Sequence, residues 1–157
     1  MYLLDTKVVS ELRKLRPHGA LVAWLADVDD ADIHLPAVTL GEIQAGIELT
    51  REQDVAKAAA LEAWADQVSA SFNVVPLDAP AVRLWAKLMH RESATVSEDA
   101  MIAATAILHK LTVVTRNVRD FKRFPVPLCN PRANALQRRK LICFAMRPGV
   151  QIILFDV

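Results

Sequence analysis

A chain of 157 residues, 53% hydrophobic and 24% charged, has material for one globular domain with a buried core and little for a second. Two cysteines, Cys129 and Cys143, exclude a disulfide framework; no basic-then-apolar leader is seen, and no apolar run approaches the roughly 18 residues that cross a bilayer, so a reducing, cytoplasmic setting without a membrane is expected. The formal charge of +1 hides a split: Arg132 to Val157 holds five Lys or Arg against Asp156 alone, a surplus of +4, which leaves −3 on the rest.

Tyr2-Leu3-Leu4 is an apolar run that stops at Asp5-Thr6, which predicts a short strand and then a helix over Val8 to Leu15, capped by Asp5 or Thr6. Pro17 and Gly19 break that helix. A second helix over Leu21 to Val28 leads through the acidic turn of Asp27, Asp29, Asp30 and Asp32 to a strand at Ile33-His34-Leu35. Thr39 and Glu42 have the spacing of a capping box. The stretch from Ile43 to Ser69 is rich in Ala, Leu, Glu and Gln and is expected to form two helical pieces meeting near Thr50. Asn73-Val74-Val75, stopped by Pro76, predicts the next strand, and Asp78 with Pro80 opens a helix reaching about His90. Ser97 is expected to cap a helix over Glu98 to His109. Leu111 to Thr115 is β-branched without polar alternation, as a parallel strand covered on both faces requires. Strands alternating with helices predict an α/β layer fold with right-handed crossovers.

In such sheets ligands sit beyond the carboxyl ends of the strands. Four acids have that placement: Asp5 ends the first strand, Glu42 lies in the first turn after the second, Asp99 lies in the first turn of its helix, and Asp120 follows Thr115 by five residues. Gathered in one cleft they would repel one another and raise their own pKa values, which a cation relieves; oxygen ligands of this kind favour Mg²⁺ or Mn²⁺. Singly, each acid also has a purely structural explanation: a helix cap for Asp5, half a capping box for Glu42, a dipole-favoured first-turn acid for Asp99. For Asp120, ion pairing with Arg116, Arg119, Lys122 and Arg123 suffices. Their recurrence at equivalent strand-end positions is what the structural explanations leave over.

Met1 to Thr6, then Thr39-Leu40-Gly41-Glu42-Ile43, then Glu98 to Ala106, then Val113 to Phe121 closely resemble, in order and spacing, the four motifs of the PIN domain in VapC-type and FitB-type toxins. The resemblance spans Met1 to Pro131 and implies a three-layer fold with a central parallel sheet flanked by helices. It implies a Mg²⁺- or Mn²⁺-dependent ribonuclease that leaves a 5′-phosphate, a homodimer, and inhibition by a DNA-binding, VapB-like antitoxin. By motif, Asp5 and Asp99 resemble the main metal ligands, Glu42 and Asp120 complete the acidic site, and Thr115 and Asn117 resemble the polar residues that position water or metal.

Lys7 departs from the family, which commonly has Asn there; an ammonium among the acids would compete with a metal or contact substrate phosphate. The second departure is residues 132–157, basic and then apolar, which are expected to form an extension foreign to the family: a read-through or shifted frame, an added hairpin, or a strand exchanged between subunits. An ordered Gln151 to Phe155 strand should be covered. His18, His34, His90 and His109 make no zinc spacing with the cysteines, and four glycines form no phosphate loop. Trp24, Trp64 and Trp85 lie in helical stretches and read as packing or dimer anchors, with Ile47 and Leu88 expected on the same apolar dimer surface. Two other functions stay open. A catalytically weakened PIN-like domain binding RNA or protein is one. The other is a phospho-accepting signalling domain, against which Arg116 stands where a lysine is needed.

Overall fold

The computed structural model describes residues 1–134, so the expectations for the segment from 135 onward lie outside the described residues. Five strands, β1 (Tyr2–Leu4), β2 (Ile33–Pro36), β3 (Asn73–Val75), β4 (Thr112–Val114) and β5 (Leu128–Cys129), form one sheet in the order β3-β2-β1-β4-β5. Every neighbouring pair is parallel, with Tyr2 opposite Ile33 on one side and Thr112 on the other. The connections run through helices α1 (Thr6–Leu12), α2 (Gly19–Asp27), α3 (Ala37–Arg51), α4 (Val55–Ser71), α5 (Ala79–Leu88) and α6 (Ser97–His109), followed by the short α7 (Val118–Phe121) and α8 (Pro131–Asn134).

Side chains of successive strand residues go to opposite faces, and both faces are buried. Leu3 and Val113 pack with Val96, Ile102, Phe121 and Phe124 beneath α5 and α6. Leu4 and Val114 pack with Val8, Leu21, Ile43 and Ile47 beneath α1 to α4. The result is the three-layer α/β sandwich that the resemblance implies. Among the described residues no helix is long and apolar enough to cross a membrane.

Several local expectations are corrected. The capping box does not form: α3 starts at Ala37 behind an extended Pro36, two residues before Thr39, and Pro36 makes no side-chain cap bond. With the helix already running, Thr39 is buried and its hydroxyl faces Thr6 instead. Ser97 is the first residue of α6 rather than its cap, because a 3-10 turn over Ala94–Val96 feeds straight into the helix. Helix α1 begins at Thr6, where the extended Asp5 accepts from Lys7 N, and ends at Leu12. The anticipated apolar dimer surface is largely spent inside the domain: Ile47 is buried in one core half, and Trp85 and Leu88 pack against the other. Trp85 Nε1 also donates to Ser97 O at 3.2 Å. Trp24 stands edge-on to Tyr2, with centroids 5.0 Å apart.

Candidate active site

The site forms where the two central strands end. Asp5 N donates to Val114 O and Thr115 N donates to Cys129 O, each at 3.0 Å, so the sheet ladder runs one residue past β1 and β4. That fixes Asp5 beside Thr115, although 110 residues separate them in the chain. The buried Thr115 hydroxyl donates to Asp5 Oδ2 at 2.7 Å and accepts from Asn117 N at 2.8 Å. Asn117 then donates from Nδ2 to Asp99 Oδ2 at 3.2 Å, and a further hydrogen bond links it to Asp120. One polar chain thus ties three of the four predicted acids to the end of β4.

Glu42 is held from the other side. Helix α3 carries it toward α1, where its Oε2 accepts from the Thr6 hydroxyl. That hydroxyl also meets Thr39 Oγ1 at 2.8 Å; having spent its one proton on Glu42, it accepts from Thr39. Asp5, Glu42, Asp99 and Asp120 all line a single cleft, with Thr6, Lys7, Glu98 and Arg116.

The electrostatics sort these acids. Burial raises the Asp5 carboxyl, and the Thr115 hydrogen bond only partly offsets it. Burial also raises Glu42, against the Thr6 hydrogen bond and with a push from the charge of Asp5. Asp99 is pushed up to about 6, by burial first and then by the charge of Asp5, with Lys7 opposing. Asp120 goes the other way: the Asn117 hydrogen bond lowers it, helped by Arg119 and Arg123, whose nitrogens stand 3.6 and 3.9 Å from its Oδ1.

A site whose acids raise one another is under-neutralised, and its donors are carboxylate and hydroxyl oxygens; both facts fit a hard divalent cation. As placed, the carboxylates face a common space without converging tightly: among the described residues no group of three or more His, Cys, Asp or Glu closes on one point. Asp5 is turned to Thr115 and Glu42 to Thr6.

The sequence profile of the PIN domain family matches residues 2–127. The chain belongs to the PIN domain family. This PIN domain is 34% identical over 142 residues to Toxin FitB of Neisseria gonorrhoeae, covering 83% of this chain and 98% of the relative. It is 32% identical over 142 residues to VapC ribonuclease Y4jK of Sinorhizobium fredii, covering 83% and 97%. The crystal structure of FitAcB from Neisseria gonorrhoeae matches with a TM-score of 0.72 at 32% identity, over 83% of this chain and 98% of that one.

Sequence reasoning passed over several residues of the PIN domain cleft. Thr6 was expected as a cap and instead holds Glu42. Glu98 lines the cleft one residue before Asp99 and adds to the charge felt by Glu42 and Asp99. Lys7, by contrast, was singled out in the sequence, and it does line the cleft, its charge acting on Asp5, Asp99 and Asp120. A signal existed for Glu98, since it neighbours the motif acid Asp99, but sequence alone does not orient a side chain.

Proposed function

We propose that this protein is a Mg²⁺- or Mn²⁺-dependent endoribonuclease, the toxin of a toxin–antitoxin pair, that hydrolyses RNA phosphodiester bonds in the cleft of Asp5, Glu42, Asp99 and Asp120. One observation carries the reading: those acids line one cleft at the carboxyl end of a parallel sheet, and mutual charge and burial leave Asp99 near 6 with Asp5 and Glu42 also raised. The ribonuclease and toxin names of the relatives support the reaction.

Asp5 and Asp99 would be the principal metal ligands, with Glu42 and Asp120 completing the shell. Those residues would hold an ion whose chemistry would be to polarise a water and offset charge on the scissile phosphate. Thr115 and Asn117 hold the acids in register: Thr115 fixes Oδ2 of Asp5, and Asn117 spans Asp99 and Asp120. Thr6 does the same for Glu42. Relatives solved as FitAB bound to an IR36 DNA fragment support a cognate DNA-binding, VapB-like antitoxin for this chain, and the acidic cleft suits a basic side chain inserted by it. A homodimer in the cytoplasm completes the reading.

The test is cleavage of a mixed RNA pool by the purified protein with Mg²⁺ or Mn²⁺ and with EDTA. Cleavage that EDTA abolishes, and that Asp5→Asn and Asp99→Asn each abolish while remaining folded, is expected; undiminished cleavage by Asp99→Asn would sink the mechanism. A second reading, a catalytically weakened PIN domain that only binds RNA or protein, is favoured by Lys7 among the acids. It predicts no metal-dependent cleavage from the parent protein.

A further inference from the structure

Outside the acid cluster the most heavily paired ionic group is Glu11, on α1. Its side chain is only 4% exposed, yet three cations reach it: Lys14 Nζ at 2.9 Å and Arg116 Nη1 at 2.8 Å on Oε2, and Arg132 Nη2 at 3.2 Å on Oε1. His18 N donates to Oε1 at 3.3 Å as well. One buried carboxylate needs about one cation to balance it, so the extra ones carry charge available elsewhere.

Arg116 is the one among them that lines the cleft. It follows Thr115 directly, its side chain is 31% exposed, and among the described residues its only hydrogen bond is to Glu11, its buried Nε finding no partner. Lys7, the other cation of the cleft, acts on Asp5, Asp99 and Asp120. Arg116 instead balances Glu11, which lies outside the cleft. A cleft lined by carboxylates repels a polyanion unless its wall offers a fixed cation, and a guanidinium anchored through Nη1 keeps Nη2 for a phosphate.

We infer that Arg116 binds a phosphate of the RNA substrate beside the acids, and that Glu11 is the positioning residue that holds its guanidinium there. The inference rests on the ribonuclease reading above.

The test is steady-state cleavage of a fluorogenic single-stranded RNA oligonucleotide in Mg²⁺ across a salt series. Arg116→Gln is expected to lower kcat/KM by about tenfold or more, as loss of a charge-assisted phosphate contact does. The plot of log kcat/KM against log salt should become shallower by about 0.7. Arg116→Lys keeps the charge and restores the slope but only part of kcat/KM, because a point ammonium cannot serve Glu11 and a phosphate together. Glu11→Gln should lose activity in the parent background and lose little more in the Arg116→Gln background, a non-additivity that a merely structural role does not produce. Mn²⁺ binding, read by calorimetry, should not weaken in any of these variants. Parental kcat/KM and slope in Arg116→Gln, or a Glu11→Gln loss equally large in both backgrounds, would overturn the assignment. If Arg116→Gln fails to fold, Arg116→Lys, which keeps a cation at this position, decides: unchanged kcat/KM overturns it. A parent protein that cleaves no RNA with either metal defeats the ribonuclease reading itself, a result distinct from these.

Discussion

Burial and the charge of Asp5 both favour the protonated carboxyl of Asp99, which is why it sits at about 6 against an ordinary 3.8. The sign of the consequence follows from linkage. The folded protein binds this proton more tightly than the unfolded chain, so the folded state gains at low pH and loses that gain as pH rises from 3.8 through about 6. Asp5 and Glu42, also raised, act in the same direction. Thermal melts in EDTA should therefore fall as pH climbs through this window, and Asp99→Asn should flatten the fall and melt above the parent at neutral pH. Adding Mn²⁺ should reverse that order, since the parent gains a bound ion that the variant holds poorly. An Asp99→Asn protein that melts below the parent in EDTA at neutral pH would refute this account. Asp5 and Asp99 were legible in the sequence because each stands where a strand or helix boundary can be read. Arg116 was noted only as a neighbour of Asp120 and in place of a lysine; its pairing with Glu11 was not legible, because it joins positions 105 apart and neither residue type marks a boundary.

Helix α6 carries Asp99 at its start and ends on Lys110, which takes the left-handed conformation at φ 55 and ψ 41. Its successor Leu111 N reaches back to Ala106 O at 2.8 Å, closing the helix. A side chain with a Cβ is strained in that region and glycine is not, so Lys110→Gly should raise stability by about 1 kcal/mol, seen as a higher denaturation midpoint at unchanged slope. A lower midpoint would mean that the lysine side chain contributes more than the backbone costs. Elements of this length were readable from their periodicity and breakers. The helices between Ile43 and Ser69, the strand at Asn73–Val75 and the helix opened by Asp78 all stand where their residues indicate. Strand β5 was not foreseen: two residues between Pro127 and Asn130 look like a turn, and only pairing with β4 makes them a strand. The Thr39–Glu42 spacing misled for a related reason. Local pattern suggested a cap, but the strand had already passed into helix at Ala37, which freed both side chains for Thr6.

At the scale of the molecule, the ends of the sheet and the helices that follow them carry the cleft, and among the described residues all that line it precede Arg132. Arg132 nevertheless belongs to the architecture, because it supplies the ion pair on Oε1 of the buried Glu11 from α8. We therefore expect a chain ending after Asn134 to retain metal-dependent cleavage. A chain ending after Pro131 should show a lower denaturation midpoint, since a buried carboxylate oxygen loses its cation. Equal midpoints for the two truncations would contradict the role given to Arg132.

The strand order β3-β2-β1-β4-β5 has a consequence in time. Thr115, which must dock beside the central strand, is synthesised 110 residues after Asp5. At a synthesis rate of about 5–20 residues per second, that interval is on the order of ten seconds. During it the nascent chain has β1 and β2 but not β4, so Asp5 has no Thr115 to dock against and the cleft does not yet exist. A growing polypeptide of this topology cannot attack the message that encodes it until β4 has been made and docked.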